Sequence, residues 1–260
     1  MAFEGGSTLE EQGCVVLRSI VSDDLLQSFE AETRALARVH LERRGKPMDD
    51  ADPMASLLRL GGDFRHVLFP MLKNLTAVRE LERAADAHLR KIGFQDWAKM
   101  GAPSRFALLK ADVPGEQKYL LPMHQDFTTP CHRAWRLWIP LRPANQTNGT
   151  VGFVPGTHKL GFLEHDRSNP ERPEIPAAAY GNRETQVLEI EAGDALLFHP
   201  LLVHCSIAAR GDAMKYALIV NYWDLATMAD PEDMTDPIPA RLRMEKERNT
   251  ARGDRPMSKV

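Results

Sequence analysis

The tripeptide His124-Gln125-Asp126 carries the first chemistry in this sequence. Along an extended strand residues i and i+2 face the same way, so an imidazole nitrogen and a carboxylate oxygen from it can meet one metal ion. Such a tripeptide arises readily by chance, and the reading depends on a third ligand. His204, 80 residues further on, closes the apolar run Ala195 to Val203 and is suited to supply it from a neighbouring strand. Two histidines and one carboxylate with open positions form the facial triad of non-haem Fe(II) oxygenases. His199 competes for the third place, although it has the opposite strand parity from His204 and is followed by Pro200. A hydrogen-bonded core histidine is the alternative for His204 itself.

The elements that must position these residues read as β. From about Phe106, short apolar and β-branched runs broken by Gly, Pro and Asn cover 106–113, 120–127, 134–141, 150–155, 186–190, 195–204 and 215–223. Seven short strands without intervening helices predict an antiparallel sandwich or jelly roll, not a parallel sheet. The first third supplies flanking helices. Cys14 to Val21 suits a strand, and Ser22-Asp23-Asp24 has the chemistry of an N-cap and acidic first turn. Leu25, Phe29, Leu36 and Val39 then follow at helical spacing up to Gly45. A second helix is expected from the cap candidate Asn74 to Gly93, with Val78, Leu81, Ala85, Leu89 and Ile92 as its buried stripe. Residues 45–53 form a polar loop between them. The expected fold class is mainly β with flanking helices (α+β), one domain over 1–229. The long polar connection 163–185 is a candidate lid. The charged segment 230–260 suits either a mobile tail or a contact in a homo-oligomer.

Composition bounds the rest. The chain has 260 residues, 43% of them hydrophobic, enough to bury a sizeable core. With 33 Lys+Arg against 36 Asp+Glu the net charge is −3, which argues against a nucleic-acid-coating protein. No apolar stretch approaches the roughly 20 residues a bilayer span needs, so no membrane partner is expected. Three cysteines, Cys14, Cys131 and Cys205, are odd in number and lack CxxC spacing, and they read as reduced thiols. The first residues carry no basic region followed by an apolar one, so the expected location is cytoplasmic.

His124-Gln125-Asp126, then Trp138, Asn148-Gly149, Val154-Pro155-Gly156-Thr157-His158-Lys159-Leu160-Gly161, and Gly193-Asp194-Ala195-Leu196-Leu197-Phe198-His199-Pro200-Leu201-Leu202-Val203-His204-Cys205-Ser206, spread over about 106–224, together resemble the phytanoyl-CoA dioxygenase family of Fe(II)/2-oxoglutarate oxygenases. The resemblance implies a double-stranded β-helix, or cupin-like jelly roll, with His124, Asp126 and His204 binding Fe(II). It implies 2-oxoglutarate as cosubstrate and O2 as oxidant, with succinate and CO2 released. Trp138 and Ser206 would line the cosubstrate pocket. The family usually carries an arginine eleven residues after the second ligand histidine to grip the distal carboxylate, and this chain has Lys215 there. Lysine offers a point charge and not a bidentate fork, and Arg210 is a substitute candidate. The family's usual Gly and Asn after that histidine are replaced by Cys205 and Ala209. Asp126 as a carboxylate favours hydroxylation over halogenation, while desaturation or ring formation depends on substrate placement.

A small, anionic metabolite is the expected substrate, from His132, Arg133, Arg142 and the cations of 164–172. With Trp138 facing the pocket, strand parity turns Arg136 inward beside Asn221 and Trp223, all three candidates for substrate binding. An arginine inside a barrel is costly unless a carboxylate meets it. Rival readings are a cupin-like metalloenzyme that does not use 2-oxoglutarate, and a non-catalytic β-sandwich binding module.

Overall fold

The structure, a computed structural model, describes residues 6–47, 52–60, 64–93, 108–117, 120–126, 134–166, 168–169 and 172–223. The N-terminal part comprises Gly6–Gln12 (α1), Cys14–Leu17 (β1), Asp23–Glu42 (α2), Pro53–Arg59 (α3), Phe64–Lys73 (α4) and Thr76–Lys91 (α5). The strands Leu108–Asp112 (β2), Ala134–Pro140 (β3), Thr150–Val154 (β4), Gln186–Val187 (β5), Ala195–Phe198 (β6), Val203–Ile207 (β7) and Lys215–Trp223 (β8) follow. They form two antiparallel sheets, β1-β6-β3-β8-β2 and β5-β4-β7, with helices against the larger one, as expected of a cupin-like jelly roll.

Strand alternation divides the core into two layers. Leu137, Ile139, Leu197, Leu218 and Val220 face the helices and pack with Phe29, Leu81 and Leu89. Their neighbours Trp138, Leu196, Phe198 and Ala217 face inward and meet Val151 and Phe153 of the small sheet. The site therefore lies between the sheets, on the face that carries Arg136, Trp138 and Asn221.

The helical layer departs from its sequence pattern in detail. In α2 the buried stripe is Leu26, Phe29, Thr33, Ala37 and Leu41, and Val39 lies exposed. Asp23 and Asp24 occupy its first turn, where the helix dipole favours them, but Ser22 makes no side-chain cap. In α5 the stripe Val78, Leu81, Ala85 and Leu89 is buried as the spacing requires. That helix begins at Thr76, and Asn74 instead donates from Nδ2 to the Pro70 carbonyl, 2.7 Å. Helices α1, α3 and α4 were not legible in the pattern. Arg142 joins this layer to the sheet: it pairs with Glu30 and Asp52, each at 2.5 Å, and lies over the Tyr216 ring. Asp52 in turn caps α3 through Ala55 N–H and accepts from Met214 N–H.

Two expected strands differ in kind, and the run 186–190 is a strand only over Gln186–Val187. Residues 120–127 form no strand over their described part, 120–126; a single bridge joins His124 to His204. Pro122 removes a ladder donor there. The run 195–204 is cut after Phe198, so that β6 and β7 belong to different sheets. Pro200, which has no N–H for a ladder, marks that turn. No helix among the described residues is long and apolar enough to cross a membrane. The 230–260 segment lies outside the described residues.

Candidate metal centre

The cut between β6 and β7 builds the site. It lets β7 leave the large sheet and carry His204 opposite Phe153 in the small one, while His199 stays behind in the turn. His124 then pairs with His204 backbone to backbone, N–H to carbonyl in both directions, 2.9 and 3.0 Å. Asp126 N–H donates to the Pro200 carbonyl at 2.8 Å, so the same turn holds both stretches of chain.

The side chains converge. His124 Nδ1 donates to the Pro122 carbonyl, 2.8 Å, and His204 Nδ1 to the Leu202 carbonyl, 2.9 Å. Each bond fixes the tautomer and leaves Nε2 with its lone pair. His124 Nε2 is 3.7 Å from Asp126 Oδ1, and His204 Nε2 is 3.6 Å from Asp126 Oδ2. One donor atom from each residue lies within 4.8 Å of the others, a spacing one cation can bridge. Burial, reinforced by the facing His204 ring, pushes His124 down to about 3, and burial likewise lowers His204. Burial alone would raise the Asp126 carboxyl, but Arg136 and the two imidazoles hold it below the usual carboxylate range. Two neutral imidazoles and one carboxylate need no deprotonation near neutral pH, and they match the Fe(II) facial triad in donor type and number.

Around the triad the expected residues divide. Arg136 is buried and inward, and the carboxylate it meets is the chain's own: its Nε lies 2.5 Å from Asp126 Oδ2, and Nη1 donates to Asn221 Oδ1. Trp138 is buried on the same inner face. Ser206, two residues beyond His204, points the same way and accepts at Oγ from Lys110 Nζ, 2.8 Å, and from Leu121 N–H, 3.2 Å. Lys215 is buried with its Nζ 2.5 Å from Asp112 Oδ2. Arg210 is exposed in the β7–β8 turn, where its backbone N–H donates to Thr147. His199 lies outside the cluster, its Nδ1 accepting from Leu201 N–H and its ring against Trp135 and His158. Arg142 does not stand at the mouth, because Glu30 and Asp52 of the helical layer hold it on the opposite side of the sheet. His132, Arg133 and the Trp223 side chain fall outside the described residues.

The connection after Gly161 packs behind the metal turn. Gln125 donates from Nε2 to the Gly161 and Leu201 carbonyls, 2.9 and 2.8 Å, and accepts at Oε1 from Leu163 N–H. Ile175 and Tyr180 bury against Val154 and Val203, the strand parity opposite to His204. Lys110 is the residue sequence reasoning missed. Its Nζ also lies 3.9 Å from Asp112 Oδ2, and its charge acts on all three triad members. Burial pulls the Lys110 ammonium below the usual lysine range, with Asp112 opposing and Lys215 adding to the shift. The signal was present, since Lys110 and Asp112 alternate with Leu109, Ala111 and Val113 and put two charges on the inward face of a buried strand.

Comparison with known proteins agrees with this geometry. The profile of the phytanoyl-CoA dioxygenase (PhyH) family matches residues 9–217. The peroxisomal phytanoyl-CoA dioxygenase of Rattus norvegicus is 24% identical over 235 residues, which span 85% of this chain and 68% of that one. The 1-deoxypentalenic acid 11-beta-hydroxylase of Streptomyces arenae is 35% identical over 101 residues, 35% of this chain and 36% of that one. Among solved structures, EctD from S. alaskensis with 2-oxoglutarate and 5-hydroxyectoine superposes with a TM-score of 0.55 at 16% identity, covering 91% of this chain and 81% of that one. AviO1 from Streptomyces viridochromogenes Tue57 gives 0.55 at 16% identity, with 89% and 100% covered. The match over most of the length, on a jelly roll whose inner face gathers two histidines and an aspartate, means that the chain belongs to the phytanoyl-CoA dioxygenase family of Fe(II)- and 2-oxoglutarate-dependent oxygenases.

Proposed function

We propose that the chain hydroxylates an unactivated C–H bond of a small metabolite. The observation that supports this most is the convergence of two fixed imidazole Nε2 atoms and the Asp126 carboxylate beside a cation, Lys110, that faces the same cavity. Fe(II) held by His124, Asp126 and His204 supplies the oxygen chemistry that couples decarboxylation of 2-oxoglutarate to oxidation of the substrate. The protein's own share is positional. The Nδ1 bonds keep both imidazoles in the ligating tautomer, and the buried inner wall of Trp138, Leu196 and Phe198 keeps water away.

For the distal carboxylate of 2-oxoglutarate, the reading favours Lys110 and Ser206 as the direct partners. Lys215 acts from behind: by pairing with Asp112 it leaves Lys110 to the cosubstrate. Trp138 would line the same pocket, and Arg210 is too far out in its turn to be favoured. An anionic substrate is the part of the proposal that rests on His132 and Arg133, and Asn221 and Trp223 belong to it as neighbours of the inner wall. A cytoplasmic location belongs to the same proposal; among the described residues Cys14 and Cys205 are free thiols, while the rat relative is peroxisomal by name.

The test has two arms. Fe(II) and 2-oxoglutarate added without oxygen should give a weak visible charge-transfer band that neither gives alone. A succinate-release screen over amino acids, phosphonates, acyl-CoAs and secondary-metabolite precursors should then find the substrate. If the band is absent while metal binds, the chain is a metalloprotein that does not use 2-oxoglutarate.

A further inference from the structure

Each metal ligand needs something to aim it, because a side chain with free torsions seldom presents its donor atom unaided. His124 and His204 have their carbonyl bonds. Among the described residues no backbone group bonds the Asp126 carboxylate, and Asp126 lies outside the strands described, so no ladder there sets its side-chain direction. Its carboxylate is met by Arg136, whose Nε sits 2.5 Å from Oδ2. Arg136 comes from the centre of the large sheet, where its register partners are Asn221 on β8 and Phe198 on β6, and Asn221 Oδ1 takes its Nη1. The guanidinium is thus held from two sides, by its ion pair with Asp126 and its hydrogen bond to Asn221.

From this geometry we infer that Arg136 is a positioning residue for Asp126: it holds Oδ2, anchored in turn by Asn221, and leaves Oδ1 as the single oxygen offered to the metal. The inference rests on the Fe(II)/2-oxoglutarate reading above and adds to it. A carboxylate that swings or binds through both oxygens would close a position the cosubstrate or O2 requires, and the facial triad works because those positions stay open. Arg136 therefore acts on the metal through Asp126, and its first effect is on metal binding, before any substrate arrives.

Co(II) binding by calorimetry, and the rise in melting temperature that Co(II) causes, test this without turnover. Arg136→Leu should weaken Co(II) binding about 10- to 100-fold, the usual range for losing an orienting partner of a ligand. Arg136→Lys should recover part of the loss, and Asn221→Ala should move the affinity in the same direction by less. In an Asp126→Ala background, Arg136→Leu should cost nothing further, since the interaction it removes is already gone. The Fe(II)/2-oxoglutarate band should shift or weaken in Arg136→Leu. A merely structural arginine would lower the metal-free melting temperature and leave the Co(II)-induced rise intact. Should Arg136→Leu fail to fold, Asn221→Ala and Arg136→Lys carry the same comparison. Wild-type Co(II) affinity in these variants, or effects that add to those of Asp126→Ala, would overturn the inference; so would a change confined to the KM of the organic substrate. If instead the wild type and His204→Ala bind Co(II) equally, it is the metal-site reading that fails.

Discussion

At the scale of single residues, the strongest expectation separates two histidines five positions apart. His204 is a candidate ligand with its Nδ1 already committed to Leu202, whereas His199 packs against Trp135 and His158 outside the cluster. His124→Ala, Asp126→Ala and His204→Ala should each abolish turnover and sharply weaken Fe(II) binding, and His199→Ala should keep both, as measured by metal titration and succinate release. Loss of iron in His199→Ala alone would reverse the assignment. The lysines give a second expectation. Lys110→Ala should raise the KM for 2-oxoglutarate more than that for the organic substrate. Lys215→Ala should do so too, because Asp112 would then draw in Lys110, 3.9 Å away. Adding Asp112→Asn to Lys215→Ala should restore cosubstrate affinity, whereas a direct Lys215 contact would leave the double variant as weak as the single.

At the scale of elements, the metal turn and the connection after Gly161 form one unit through Gln125, which uses both amide hydrogens and its oxygen. Gln125→Leu strands three backbone groups, and buried groups without partners are costly. The variant should be cleaved faster in the 161–176 region under limited proteolysis; cleavage unchanged from the wild type would show that the connection is held elsewhere. This unit also shows what the sequence made legible. His124, Asp126 and His204 could be picked out by residue type and spacing, and β3, β4 and β8 by their alternation. The i, i+2 argument for His124 and Asp126 assumed a strand, yet the structure brings them together through one bridge and a turn. Periodicity cannot register such a turn, because it is fixed by hydrogen bonds to residues about 80 positions away. Alternation does put Lys110 on the inward face, but its meaning depends on Ser206 from the opposite sheet, as the fate of Arg142 depends on Glu30 and Asp52 of the helical layer. Helices α3 and α4 were missed because each is short, with Pro53 opening one and Pro70 lying inside the other.

At the scale of the whole molecule, the α1–β1 turn closes over His158 and His199, two histidines outside the metal cluster. Gly13 adopts a φ of +77°, and a Cβ there would stand 2.3 Å from His158 Nδ1. Its carbonyl accepts from His199 N–H, 2.8 Å. Burial holds His199 neutral down to about 4, against 6.5 for a free histidine. The unfolded chain therefore binds this proton more readily than the folded one, so the stability His199 contributes is intact above pH 6.5 and is lost as pH falls from 6.5 towards 4. Urea midpoints should drop over that window, and His199→Gln should flatten the slope; an unchanged slope would assign the acid sensitivity to other groups. Strand β8 has a different kind of consequence. It is the last strand of the described chain and yet lies between β3 and β2, and it carries Asn221, the anchor of Arg136. During translation, a ribosome that has released the protein only as far as β7 exposes unpaired edges on both β3 and β2. The nascent chain already contains all three candidate iron ligands but not the strand that closes the sheet beneath them. The large sheet is thus closed only when β8 has been made, and a free peptide matching Lys215–Trp223 should find a slot of defined register in a chain truncated before it.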